Sequence, residues 1–306
     1  MKERFRAIDA HVHVIEQLKG IGYRGELRPI GKGKGRWANG EELRIIPEGW
    51  GESSFSYEEL LRRMDANGVE KAVLLQGSLY GLQNEYSVEA VEKYPGRFAA
   101  MGSFDPYCLD AEEIMHRLIE ECGCKGLKFE MSSLGGFMGY HSEFKIDGPQ
   151  MKEVWKYAQE RGLVISLDIG DRKSPSFQLD SIVKLAEKYS NIKIVIEHMF
   201  CAGKGERNYV ERYLDKISSH SNIYVTLASV VTNCLQGPPY RDAIFYLNAA
   251  CERIGSERIM WGSDLPITAS VLPYEVLKNY IADYSGLKEK DLENVYYNTA
   301  KLVYGL

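Results

Sequence analysis

Eight short apolar segments, each followed by a stretch with helical spacing, alternate along this chain. The segments are residues 6–14, 69–76, 98–104, 125–129, 163–169, 192–197, 222–228 and 258–261. Parallel neighbours in a sheet need a crossover long enough to hold a helix, so this alternation marks a parallel sheet covered by helices. The helical stretches fall at 56–68, 84–93, 110–122, 149–161, 179–189, 209–218 and 240–254, with two more at 273–284 and 289–304. The first is the best signposted: Ser56 is a natural N-cap, Glu59 follows three residues on, and Asn67-Gly68 is a stop. Eight strand-helix units in 306 residues fit a (β/α)8 TIM barrel better than a doubly wound sheet, because one domain, residues 1–306, then accounts for all of them. The expected fold is therefore a single α/β barrel with a long loop insertion after strand 1 and C-terminal helices.

Residues 15–56 form that insertion. It is rich in glycine and carries Arg24, Arg28, Lys32, Lys34, Arg36, Trp37 and Trp50. A loop this long is read either as a lid or pocket wall, or as a mobile surface segment with solvated basic residues. The loop at 131–148 is also glycine-rich and holds Phe137, Tyr140 and His141.

Composition narrows the partners. A net charge of -5 leaves no basic footprint for nucleic acid and no cationic face for anionic membranes. No apolar run approaches the ~20 residues of a membrane span, and MKERFR leads into a strand without a signal-peptide core. Six cysteines without a framework spacing read as reduced. A cytoplasmic protein acting on a small molecule is the expectation.

In a parallel barrel, chemistry sits at the carboxyl ends of the strands. Strand one ends in HVHV, where alternation puts Asp9, His11 and His13 on one face. Strand four ends in Lys128 and Glu130, strand five in Asp168, strand six in Glu197-His198, and strand eight in Asp264. Each has a plain alternative: an exposed histidine pair, an Asp264 cap, an Asp168 bridge to Arg172 or Lys173. Together they call for a common partner, because buried carboxylates and imidazoles are costly unless paired or metal-bound. Mixed nitrogen and oxygen donors suit one divalent cation, zinc first, with manganese or iron as options.

In IDAHVHV, LLRRMDANGVEKAVLL, GRFAAMGSFDP, KGLKFE, GLVISLDIG, IVIEHM, IMWGSDLP and NTAKLVYGL, the chain resembles the amidohydrolase superfamily. The similar group is the amidohydrolase-related one, which holds aminocarboxymuconate-semialdehyde decarboxylase, aromatic-acid decarboxylases and some lactonases. The resemblance implies His11 and His13 as metal ligands, His198 as a catalytic histidine, and Asp264 as ligand or proton carrier. It also implies a histidine at the end of strand five, where this chain has Asp168, so Asp168 is taken as a carboxylate ligand in its place. Glu130 is a further candidate ligand. Lys128 stands near the position of a carboxylated lysine in binuclear relatives, but it is read here as a structural or substrate-pairing lysine. The family it resembles is commonly dimeric.

Two reactions suit these residues. A hydrolase would open a lactone or cleave an amide with metal-activated water, Asp264 carrying the proton and His198 bonding the reacting oxygen. A decarboxylase would protonate a ring carbon while aromatic walls hold the substrate, for which Trp37, Trp50, Phe137 and Tyr140 are candidates. The hydrolase is favoured, because Asp168 breaks the histidine pattern usual in the decarboxylases. His141 and Arg172 are candidate substrate contacts, and Arg24, Arg28, Arg172 and Lys173 predict an anionic substrate. A non-catalytic ligand-binding barrel is the third reading.

Overall fold

The computed structural model describes residues 5–133 and 135–306 and is an α/β protein. Strand β1 spans Ile8–Val12. Four short strands follow, β2 (Ile21–Gly22), β3 (Gly25–Gly31), β4 (Lys34–Trp37) and β5 (Glu42–Arg44), and then β6 (Lys71–Leu74), β7 (Phe98–Ala100), β8 (Gly126–Glu130), β9 (Val164–Asp168), β10 (Lys193–Ile196), β11 (Ile223–Thr226) and β12 (Ile259–Met260). The order β1-β6-β7 makes one parallel sheet and β12-β11-β10-β9-β8 another. Backbone hydrogen bonds join the two at both edges. Gly102 N donates to Gly126 O and Lys128 N to Gly102 O on one side. On the other, Ala10 N donates to Trp261 O, Asp264 N to His11 O and His13 N to Leu265 O.

The helix Tyr57–Asn67 follows its sequence signals: the Ser56 hydroxyl accepts from Glu59 N at 3.2 Å, and Gly68 closes it with φ 64°. The C-terminal helix Thr299–Tyr304 brings Ala300, Val303 and Tyr304 against Ile8, Val164 and Tyr224, covering inward-facing residues of the strands. No helix among the described residues is long and apolar enough to cross a membrane.

Two expectations change. The insertion after β1 is an antiparallel sheet, β2-β3-β4-β5, and not an irregular loop. The β3–β4 turn is made by Lys32 and Gly33, both at positive φ (53° and 70°), the conformation that tight hairpins require. Its side chains Leu27, Trp37, Ile45 and Ile46 are buried in the main core. Secondly, Asp9 does not share a site with the two histidines. The register of β1 slips between Asp9 and Val12, so the alternation is broken there. Asp9 instead accepts hydrogen bonds from Ser263 N (2.8 Å) and the Tyr274 hydroxyl (3.0 Å).

Candidate metal centre

The carboxyl ends of the strands surround a cleft of about 650 Å³ whose walls include His11, His13, Lys128, Glu130, Asp168, His198 and Asp264. Within it, His11, His13 and Asp264 form one cluster. The two Nε2 atoms lie 3.2 Å apart, and Asp264 Oδ1 is 3.4 Å from the first and 3.2 Å from the second. All three residues are buried.

Partners on the far side of each ring fix its tautomer. His11 Nδ1 meets Glu197 Oε2 at 2.7 Å, and His13 Nδ1 meets Leu75 O at 2.9 Å. A carboxylate and a carbonyl only accept, so each Nδ1 carries a proton and each Nε2 is turned inward. Glu197 is itself completely buried and accepts from the hydroxyls of Ser166 and Thr226. Burial alone would raise the Glu197 carboxyl, but the charge of His11 and these hydrogen bonds hold it at about 2. Burial disfavours charge on His11 too, yet Glu197 and Asp264 outweigh it and lift that imidazole to about 10. Burial, joined by the charge of His11, lowers His13 to about 4. Burial would also raise Asp264, and the two histidines overcome it, keeping this carboxyl well below the usual range.

The cluster therefore presents two imidazole Nε2 atoms and a carboxylate oxygen to one point of the cleft. Three converging acceptors with both imidazoles braced from behind are the donor set that a divalent cation of borderline softness takes. The remaining Asp264 oxygen, Oδ2, accepts from the Ser229 hydroxyl. Ser229 and Asp264 both have φ 58°, so left-handed backbone at the ends of β11 and β12 aims this pair.

His198 stands beside the cluster, its ring centroid 4.7 Å from that of His11. Its Nδ1 meets Ala228 O at 3.0 Å, which turns Nε2 toward Asp168 Oδ2, 3.7 Å away. It begins a run of four non-glycine residues, His198 to Cys201, with φ between 46° and 62°. That left-handed turn also brings Cys201 Sγ to 3.4 Å from Asp168 Oδ1. Asp168 thus neighbours His198 and Cys201 and lies outside the three-residue cluster. Glu130 accepts from Ser78 N at 3.0 Å, with Lys128 Nζ 4.0 Å away, and burial pushes its carboxyl up to about 7.

The remaining sequence candidates are not cleft-lining residues. Trp37 is buried in the insertion, and Trp50 stacks on Phe55 under the Arg63 guanidinium. Tyr140 packs on Phe137 and His141. His141 pairs with Asp105 at 2.7 Å and stacks on Tyr107, and Arg172 pairs with Glu206 at 2.8 Å over the Tyr209 ring. Conversely, Glu197 holding His11, Ser229 holding Asp264, and Tyr80, 4.7 Å from the His13 ring, are contacts that sequence reading missed. Glu197 alone left a trace: an acid closing the apolar run IVI must find a buried partner.

A strand-end cluster of this kind, on eight parallel strands, defines an α/β protein with a candidate metal site. Residues 8–306 match the amidohydrolase family model, and the chain belongs to that family. It is similar to an L-fucono-1,5-lactonase of Burkholderia ambifaria, 21% identical over 70% of this chain and 71% of that one. A 4-sulfomuconolactone hydrolase of Hydrogenophaga intermedia is 23% identical over 69% of this chain and 65% of its own length. Among solved structures, an amidohydrolase of Burkholderia multivorans with bound zinc superposes with a TM-score of 0.72 at 15% identity, over 98% of this chain and 99% of that one.

Proposed function

We propose that this chain is a metal-dependent hydrolase that opens the ring of a small lactone, and that its eight strands work as one closed (β/α)8 barrel. The observation that carries the reading is the convergence of His11 Nε2, His13 Nε2 and Asp264 Oδ1 on one point of the cleft. The relatives named as lactone hydrolases supply the reaction class. His11, His13 and Asp264 would hold one divalent cation, zinc by preference. Such a cation supplies Lewis acidity, polarising a carbonyl and bringing water within reach of ionisation near neutrality.

The protein's own groups would do the rest. Asp264, a carboxylate throughout the neutral range and steadied by Ser229, accepts a proton from the attacking water. As the acyl C–O bond breaks, the same carboxyl returns a proton to the departing ring oxygen. Water is thereby divided between acyl carbon and ring oxygen, and the product is a hydroxy acid. His198, with Nε2 turned into the cleft, is placed to hydrogen-bond the reacting oxygen.

Metal content and a lactone panel test this together. Protein purified without chelator should carry close to one equivalent of a divalent ion and open lactones faster than the spontaneous rate. Carbon dioxide release from hydroxylated aromatic acids, with no lactone opened, would overturn the reading in favour of a decarboxylase.

A further inference from the structure

Tyr80 reaches the cleft with its polar group unpartnered. The residue is 4% exposed, lines the cleft, and lays its ring 4.7 Å from that of His13. Its hydroxyl makes no hydrogen bond among the described residues. The hydroxyls of Tyr280 and Tyr304 lack partners too, but they are sealed in the core, whereas that of Tyr80 opens on the cleft. A buried hydroxyl left unpaired costs free energy, so on a cleft wall it is a donor that a bound molecule can satisfy.

The backbone that carries this side chain is fixed from two sides. Residues 77–81 form a tight turn closed by the Gly77–Gly81 bridge, within which Tyr80 N donates to Gly77 O at 3.0 Å. The insertion after β1 holds the turn from outside: Ile21 N donates to Ser78 O, and Lys19 N to Tyr80 O. Gln83 Nε2 donates to Tyr80 O as well, at 3.2 Å. A Cβ on Gly20 would run into Leu79 O, so only glycine lets the two segments close this far. With its ring packed and its backbone bonded, Tyr80 presents the hydroxyl at no further cost of ordering.

Granted the lactone reading, two donors flank the cluster, His198 beside His11 and Tyr80 beside His13. A lactone presents two oxygens on its acyl carbon. The ring oxygen leaves and receives a proton; the acyl oxygen receives none, and takes up negative charge as water attacks. A tyrosine hydroxyl, protonated and neutral near neutrality, suits the second oxygen. We propose that Tyr80 is a catalytic residue, whose hydroxyl donates a hydrogen bond to the acyl oxygen that strengthens as charge builds there. The hydroxyl keeps its proton throughout, so the proton balance of ring opening stays with Asp264.

The test is Tyr80→Phe, which keeps the ring against His13 and removes the oxygen alone. For a lactone that wild type opens, kcat should fall about 100-fold with KM little changed, the mark of an interaction made in the transition state. Metal content and the urea midpoint should match wild type, because the hydroxyl has no partner in the fold to lose. Unchanged kcat, or a loss confined to KM, overturns the inference. So does a fall in kcat that comes with lost metal or a lowered urea midpoint, since the hydroxyl would then serve the fold. A cyclic phosphonate, whose oxygens carry the charge that the acyl oxygen acquires, reads the same contact by calorimetry without turnover. Tyr80→Phe should bind it at least about tenfold more weakly than wild type. If wild type opens no lactone while Tyr80→Phe still loses phosphonate affinity, the lactone reading fails and the donor stands; equal phosphonate affinity in the two proteins refutes the donor.

Discussion

Replacing Glu197 by glutamine isolates what the buried carboxylate does for His11. The side chain keeps its shape and can keep its hydrogen bonds. Its amide oxygen can accept from His11 Nδ1 and Thr226, while its amide nitrogen donates to Ser166, whose hydroxyl turns round. What disappears is the negative charge 2.7 Å from the imidazole. That charge makes Nε2 a stronger donor to a cation, and loss of such a partner costs about 10- to 100-fold in metal affinity. The corresponding free energy is about 1.4–2.7 kcal/mol. The assay is competition for zinc against a chromogenic chelator, with urea unfolding of the metal-free protein alongside. Glu197→Gln should weaken the metal Kd by that factor while the metal-free fold stays close to wild type. Glu197→Ala, which leaves the His11 donor without a partner in a buried site, should also destabilise the metal-free fold by about 1–3 kcal/mol. If Glu197→Gln binds zinc as tightly as wild type, the bracing role assigned to Glu197 is wrong.

Replacing His13 by alanine removes one of three converging donors, so elemental analysis should find almost no retained metal; near-stoichiometric metal would place the ion elsewhere. Asp9 gives a pH signature. Burial outweighs its hydrogen bonds and raises its carboxyl from 3.8 to about 6, so the folded state holds the proton more tightly than the unfolded chain. That contribution is full below pH 3.8 and lost as pH rises through 6; relative to Asp9→Asn, wild type should lose up to about 3 kcal/mol across this window in urea unfolding, and a constant difference would refute it. His141→Ala should leave kcat/KM for lactones unchanged, because the imidazole is engaged with Asp105 and Tyr107 outside the cleft. A fall of about tenfold would mean that this loop reaches the substrate.

What could be read from the chain, and what could not, divides along the range of the interactions. The eight strands and the helix after Ser56 were legible because period, caps and stops are local properties. His11, His13, His198 and Asp264 were legible because strand ends are where a parallel sheet places its chemistry. The slip in β1 was not: alternation carried forward from Ile8 puts Asp9 with the histidines, and only pairing with β6 shows where the register shifts. The antiparallel sheet of the insertion hid for a related reason, since a lysine at positive φ in KGKG offers no asparagine or aspartate to announce the turn.

The loop side chains were least legible. Arg172 is neutralised by Glu206 and His141 by Asp105, each more than thirty residues away in the chain. An unpaired reading of either invites an anion-binding role that its partner removes. The same lesson bears on Asp168. As a residue type at a strand end it looks like a replacement ligand, but a carboxylate reaches less far than an imidazole. Here one oxygen is taken up by Gly170 N and Cys201 Sγ, and the other faces His198. His11, His13 and Asp264 are the compact donor set, and Asp168 stands beside them against His198. Asp168 thereby lines the cleft beside His198.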